Sequence, residues 1–392
     1  MSILSAGPLM LFSFVFVISL VVVIHELGHY LAGRMCGIHA EVFSLGFGPT
    51  LFSRRDSKGT VWRVAALPLG GYVRFMGDAG AASEPDAEKL EEMRKTYGPD
   101  AEKCYHFKPV GQRAFVTLAG PLANFILAIV LFTGIAVFAG WNRMPPVVGE
   151  VQAETPAAAA GFQTGDRILN IQGRKIEDFG EIRMEVMWRA GVELDFLVER
   201  DGQEIVLRAG AERRRVADGL GGERNVGVLG LGWPRGESID HVDYNLFTGF
   251  LRGADQIRDT VSLTGRYVGG ILTGQASPEL LSGPLGIANM AGRVGQISVE
   301  AGDTAGESAL NLLVNLLNLA AFVSIGLGLV NLLPIPILDG GHLVYYAYEA
   351  VARRPLSMKA QAMGFRVGLA LVLGMMLLAT WNDINYQLGQ FF

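Results

Sequence analysis

The chain has 392 residues, with 33 Lys and Arg against 38 Asp and Glu, a formal net charge of −5, which argues against a nucleic-acid partner. Hydrophobic residues make up 50% and charged residues 18%; a soluble domain carries about 25% charged, so part of this chain must avoid water. Two cysteines, Cys36 and Cys104, are too few for a disulfide scaffold, and so apolar a composition excludes disorder.

Residues 1–24 hold no ionisable side chain, and as a helix they reach about 36 Å, enough for a bilayer core of about 30 Å. This is the first predicted span, in a segment 1–30 that ends on His25, Glu26 and His29. A cleaved signal peptide is the alternative, but a basic start is absent and the apolar run continues into these ionisable residues. In the connection 31–113, residues 38–76 alternate apolar and polar and carry Gly46, Gly48, Gly59, Gly70 and Gly71, the pattern of short strands and turns. Residues 61–75 (VWRVAALPLGGYVRF) read as a hairpin around Pro-Leu-Gly-Gly that touches lipid or substrate. The charged stretch 78–108 reads as an exposed helix or loop.

A second span is predicted at 114–140, followed by soluble composition over 145–234, with strands at 147–151 and 193–208 and a helix at 179–189. Connecting helices are expected over 240–300. Within them 246–272 has a helical period with Arg252, Asp255, Arg258 and Asp259 on one face, either an interfacial helix or one packed on the soluble domain. The third apolar run, 308–338, has 31 residues, about 47 Å if helical throughout and longer than a bilayer needs. It must break, and Pro334 and Pro336 mark the place, giving a span-plus-motif segment 308–342. The fourth run, 367–382, lies in a segment 360–382. Arg34, Arg54, Arg55, Arg113, Arg353, Arg354, Lys359 and Arg366 fall in two connections, which are therefore expected in the cytoplasm, with both termini and 145–234 on the other side.

His25-Glu26-Leu27-Gly28-His29 is HExxH. Histidines four apart share a helix face and can hold one Zn²⁺, while Glu26 can take a proton from an activated water. With 6 His in the chain, the pattern arises by chance on the order of 0.01 times. Two solvated histidines at a helix end are the bland alternative; ionisable groups against an apolar span are costly and functional by default. A catalytic zinc site needs a third protein ligand. Asp339 is the candidate, since an acid after the broken third span is hard to justify without a cation; an N-cap role is its alternative, and both can hold. Cys36 lies too far along the axis from His29, and His342 suits a supporting or packing role better.

HELGH (25–29), AGPLAN (119–124) and NLLPIPILDGGH (331–342) resemble the site-2 protease family of intramembrane zinc metalloproteases. SLGFGP, PLGGYV, VGQR and SGPLGIA resemble its bacterial regulator-of-sigma-E protease branch. The resemblance implies that His25, His29 and Asp339 ligate Zn²⁺, that Glu26 activates water, and that Asn124, Asn331 and Pro334 help hold or unwind a substrate helix. The substrates it implies are single-span membrane proteins, such as an anti-sigma factor or a signal-peptide remnant, trimmed outside the membrane beforehand. An Asn amide can replace the hydrogen bonds an unwound helix loses, and 61–75 can add to an extended substrate as a strand. Interhelical bonding is the alternative for Asn124 and Asn331, and the better reading for Asn315 and Asn318.

Residues 156–173 (PAAAAGFQTGDRILNIQG) resemble the PDZ signature, whose domains bind extended peptides, here the exterior part of a substrate. Gly161, Gly165 and Gly173 are read as turn positions, and a spacer without ligand is the alternative. Residues 145–234 have room for one such domain, where enterobacterial members carry two in tandem. The expected architecture is thus a polytopic α-helical membrane protein of the bacterial inner membrane. It has four transmembrane helices, a membrane-associated β-hairpin region and one inserted PDZ-like α+β domain that is periplasmic or exterior, while the active site lies toward the cytoplasm. A catalytically silent membrane PDZ scaffold is the competing reading, opposed by the intact HExxH and LDG motifs; a metal transporter would need more polar residues in the spans.

Overall fold

In the computed structural model, residues 3–77, 87–217, 223–234, 240–274, 276, 278 and 281–388 are described. The uncharged N-terminal run forms α1, Ile3–Met35, which carries on past HExxH instead of stopping there. It ends where Gly37 takes φ +69° and the Ile38 N–H bonds back to the Gly33 carbonyl at 2.9 Å, the six-to-one bond of a glycine-terminated helix.

Two long strands follow, β1 (Ala40–Arg55) and β2 (Val61–Phe75), paired antiparallel. Asp56 shapes the turn between them, its Oδ1 accepting the Lys58 and Thr60 N–H groups and its Oδ2 the Trp62 Nε1–H, each at 2.9 Å. These bonds, the indole's first, hold the Asp56 carboxyl below the usual carboxylate range. The hairpin expected inside 61–75 does not form. Val42 faces both Arg74 and Val61, and Leu45 both Gly71 and Val64, so the two halves of β2 flank the first half of β1. Phe43 is buried with Tyr30, Ile38, Ala40, Phe75 and Val116, and a buried segment satisfies its backbone only when strands lie on both sides.

After β2 come α2 (Ala87–Tyr97) and α3 (Val110–Phe138); the start of the charged stretch, 78–86, lies outside the described residues. The insert holds β3 (Trp141–Arg143), β4 (Glu150–Val151), α4 (Pro156–Ala159), β5 (Arg167–Ile171), β6 (Arg174–Lys175) and α5 (Phe179–Met187). It continues with β7 (Glu193–Arg200), β8 (Gln203–Gly210), β9 (Glu212–Ala217), β10 (Glu223–Val228), β11 (Leu231–Gly232) and β12 (Asp240–Val242). Helices α6 (Leu246–Leu272), α7 (Pro284–Glu300), α8 (Ala305–Asn331), α9 (Asp339–Ala352) and α10 (Met358–Leu388) complete the chain.

Among the described residues, 4 helices are long and apolar enough to cross a membrane: Gly7–Met35, Val110–Phe138, Ala305–Asn331 and Met358–Asn385. They overlap the four predicted runs but are longer at one or both ends wherever flanking polar residues continue the helix. Helix α8 stops at Asn331, ahead of Pro334, because a proline disfavours helical backbone in the residue before it; the chain then turns and restarts as α9 on Asp339.

The chain divides into two compact units. The first comprises the described residues of Met1–Thr133, Phe250–Thr260 and Ile287–Leu377. In it Val17 and Val21 of α1 pack with Ala291 of α7 and Leu316, Leu319 and Ala320 of α8. Asn315 donates to Ser298 Oγ at 3.0 Å, the interhelical bond expected of it, whereas Asn318 Oδ1 is buried without a partner among the described residues.

The second unit comprises the described residues of Gly134–Gly249, Val261–Gly286 and Leu378–Phe392. Its main sheet has the order β6-β5-β7-β8 over a core that includes Phe162, Ile168, Leu194 and Phe196. The strand expected at 147–151 shrinks to β4 and a single bridge between Val147 and Arg167. Gly161, Gly165 and Gly173 have φ of +82°, +95° and +82°, as turn positions require. Asp166 is buried, and Arg200 grips its two carboxylate oxygens at 2.6 and 2.7 Å. A cavity of about 330 Å³ opens between α5 and the β10–β11 segment, lined by Phe179, Ile182, Val186, Val226, Leu229 and Leu231.

Candidate active site

Helix α1 brings His25, Glu26 and His29 onto adjoining positions because residues four apart fall on one face. It can approach α3 closely since Gly28 lacks a β-carbon: one built there would overlap the Ala119 carbonyl oxygen and lie 2.7 Å from Ala123 Cβ. Facing the imidazoles, α3 has Gly120, where a β-carbon would collide with the His29 ring and stand 2.9 Å from His25 Cε1.

Hydrogen bonds then orient each ring. His29 Nδ1 lies 2.9 Å from the Val116 carbonyl oxygen. A carbonyl can only accept, so Nδ1 carries the proton and Nε2 keeps its lone pair. The buried Asn124 amide lies 3.1 Å from His25 Nδ1. The amide atom placed there is Nδ2, while Oδ1 has no partner among the described residues; the two ends of the amide are interchangeable in placement, and with Oδ1 turned to the ring His25 Nδ1 donates to it and Nε2 keeps its lone pair. Ser324 of α8 donates to the Asn124 carbonyl at 2.9 Å, and Asn331 ends α8 with its amide 3.3 Å from His25 Nε2.

Asp339 is the first residue of α9; the N-cap position is Leu338, which makes no side-chain capping bond. Its Oδ2 lies 3.4 Å from His25 Nε2 and 3.5 Å from His29 Nε2, and the two Nε2 atoms are 3.2 Å apart. A tetrahedral zinc with bonds of 2.0–2.1 Å separates its ligands by about 3.3 Å. The same Oδ2 is buried and accepts no hydrogen bond among the described residues. Two imidazole lone pairs and a carboxylate oxygen converging in this way repel unless a cation stands between them, so the three side chains fit a metal and could hold one.

The Glu26 carboxylate stands beside β2, within electrostatic reach of the Val73 backbone N–H. Gly71 makes that approach of β2 possible: a β-carbon there would lie 3.2 Å from Glu26 Cγ and 2.8 Å from the Ser44 carbonyl oxygen. Pro334 is in the exposed turn between α8 and α9. Cys36 and His342 are outside the donor cluster, and the His342 ring meets Tyr345 edge-on at 6.1 Å. Sequence reasoning missed Val73, Gly71, Gly120 and the Val116 carbonyl. Two of these contribute backbone groups and two only the lack of a side chain.

The sequence profile of peptidase family M50 matches residues 13–375. This chain belongs to peptidase family M50, the site-2 proteases. It is 47% identical over 382 residues to Metalloprotease MmpA of Caulobacter vibrioides, covering 96% of both chains. It is 38% identical over 379 residues, again 96% of both, to the Agrobacterium fabrum protein named "Putative zinc metalloprotease Atu1380". As an M50 member the chain is a metalloprotease, and its cluster of two imidazoles and one carboxylate lies where apolar helices meet.

Proposed function

We propose that this M50 chain is an intramembrane zinc metalloprotease that hydrolyses a peptide bond in or near the transmembrane helix of a single-span protein already trimmed on its exterior side. The observation that carries the reading is the convergence of His25 Nε2, His29 Nε2 and Asp339 Oδ2 at 3.2 to 3.5 Å beside Glu26, on a helix with membrane-spanning length and composition. His25, His29 and Asp339 would hold the zinc through their two Nε2 atoms and Oδ2. When bound, the metal polarises the scissile carbonyl and makes water acidic enough to be deprotonated near neutral pH.

Glu26 accepts that proton and delivers it to the leaving amine nitrogen, so no covalent enzyme intermediate forms. The Val73 N–H stays within electrostatic reach of its carboxylate between the two transfers. Asn124 keeps His25 in the tautomer that binds metal. Asn331 and Pro334 stand where α8 ends, and there an unwound substrate needs hydrogen-bond partners to replace its own. The 71–75 half of β2, beside Glu26, offers an edge to an extended substrate strand.

The second unit acts as a PDZ-like domain, its cavity between α5 and the β10–β11 segment accepting an apolar side chain from the trimmed exterior part of the substrate. The cytoplasmic side carries the active site and the basic connections, and the PDZ-like domain is exterior, across a bacterial inner membrane. The test pairs wild type with Glu26→Gln in proteoliposomes containing a single-span substrate. The variant is expected to keep its zinc and lose cleavage, and chelator-sensitive cleavage persisting in it would remove Glu26 from this role.

A further inference from the structure

Helices α3 and α9 make a second contact, away from the donor cluster. Arg113 in the first turn of α3 is buried, and its Nη2 meets Glu349 Oε1 of α9 at 2.6 Å. Its Nε donates to the Lys108 carbonyl at 3.1 Å, and the guanidinium lies over the Tyr346 ring, 5.0 Å from its centre. The Tyr346 and Tyr105 hydroxyls are 2.9 Å apart, and Tyr105 also reaches Thr117 Oγ at 3.0 Å. A cation in the first turn of a helix opposes the helix dipole, and burying it adds a desolvation cost. Its presence there calls for the compensation that Glu349 and Tyr346 supply, and none of these side chains takes part in the chemistry described above.

The spacing gives the contact its consequence. Arg113, Thr117, Gly120 and Asn124 follow the i, i+4, i+7, i+11 pattern of one helix face. The same face of α3 therefore seats the α1 histidines at one end and grips α9 at the other. On α9, Tyr346 and Glu349 stand about two and three turns beyond Asp339. At the start of α9 the buried Gly340 and Gly341 press against the Leu332, Leu333 and Ile335 carbonyls of the α8–α9 turn, so that end is packed locally, and the α3 contact holds the helix two to three turns further on. A metal site requires its donors placed to within about 0.2 Å, and a helix free to roll or slide by more than that spoils it.

We propose that Arg113 and Glu349, together with the Tyr105–Tyr346 hydroxyl bond, are positioning residues that clamp α9 to α3 and thereby set Asp339 at its distance from His25 and His29. This rests on the reading of Asp339 as a metal ligand. The experiment uses the purified full-length protein and three readouts: zinc retention in competition with a chelator, thermal unfolding of the zinc-free protein, and cleavage of a single-span substrate. Glu349→Gln and Tyr346→Phe are each expected to weaken zinc retention about 10-fold and to slow cleavage; the zinc-free Tyr346→Phe protein should unfold as wild type does, whereas Glu349→Gln, which leaves Arg113 buried without its counter-ion, should also unfold earlier. Arg113→Lys, which preserves the charge, should retain more zinc than Arg113→Met.

Asp339→Ala is the control that separates the two ideas. Unchanged zinc retention in it would sink the ligand reading itself. Retention lost in Asp339→Ala but unchanged in both Glu349→Gln and Tyr346→Phe overturns the clamp alone. So does a fall in zinc-free stability with zinc retention intact, because the contact would then be structural only. Should Glu349→Gln fail to fold, Tyr346→Phe decides, since it leaves the ring beneath Arg113 and deletes a single hydroxyl.

Discussion

The imidazole of His29 occupies the space that Gly120 leaves open on α3: a β-carbon built on Gly120 would clash with His29 Nε2 and Cε1. The ring has nowhere to retreat, because its Nδ1 is tied to the Val116 carbonyl one turn away on the same helix. Gly120→Ala is therefore expected to weaken zinc retention at least about 10-fold and to abolish cleavage. Alanine favours a helix over glycine by about 1 kcal/mol, so helix content by circular dichroism should hold or rise. Normal zinc retention in this variant would show that the rings lie elsewhere.

Asn124, expected to help hold a substrate helix, is fully buried with its amide 3.1 Å from His25 Nδ1, which supports a role exerted through the His25 ring. Its removal frees the ring to rotate and to take the other tautomer, and loss of such a supporting partner costs about 10- to 100-fold in metal affinity. Asn124→Ala should show that loss in a chelator titration. Asn124→Asp, which keeps an oxygen facing Nδ1, should retain more zinc than the alanine variant. Equal retention in the two would mean that Asn124 serves the helix interface and not the ring.

Gly71 bears on the base instead of the metal. A β-carbon at this position would lie 2.8 Å from the Ser44 carbonyl oxygen, 3.1 Å from Val22 Cγ1 and 3.2 Å from Glu26 Cγ, so Gly71→Ala is expected to shift β2 against β1 and α1 and to move the Val73 N–H relative to the carboxylate. A misplacement of about 1 Å at a reacting group can cost about 100-fold in rate. Cleavage should fall 10-fold or more by this argument, with zinc content unchanged. A variant that loses zinc instead would place Gly71 against the wrong group.

These three cases show which parts of the site can be read from sequence. The convergence of the histidine pair and Asp339 was legible because each is a rare ionisable side chain set against an uncharged run, and helical spacing alone places His25 with His29. The spans were legible for the same reason, as gaps in the charge pattern. Gly120 and Gly71 were not, because their contribution is an absent side chain, and the contact that uses the absence is tertiary. The clamp was hidden by distance: Arg113 and Glu349 are 236 positions apart, and nothing local to either names the other. The pairing of β2 was misread because strand partners depend on what must be buried between them. Alternation alone allowed a hairpin within 61–75, whereas the buried first half of β1 needed a strand on each side.

The second unit carries a charge arrangement that can be tested apart from catalysis. Glu185 of α5 is 1% exposed, and its Oε1 accepts from Arg174 Nη1 and Arg266 Nη2, both at 2.6 Å, while Oε2 lies 3.0 Å from Arg189 Nη1. One buried carboxylate thus holds three guanidinium groups from different segments. Glu185→Ala would remove the carboxylate that the three guanidinium groups share, leaving Arg174 its longer contact with Glu181 at 3.9 Å; breaking a buried pair costs about 3–5 kcal/mol. Glu185→Gln keeps acceptor geometry at one oxygen and should cost less. The expected result is earlier unfolding and faster limited proteolysis of the second unit, in the order wild type, Gln, Ala. Zinc retention should not change, because every proposed ligand belongs to the first unit. Wild-type proteolysis of Glu185→Ala would show that the three arginines are satisfied without it.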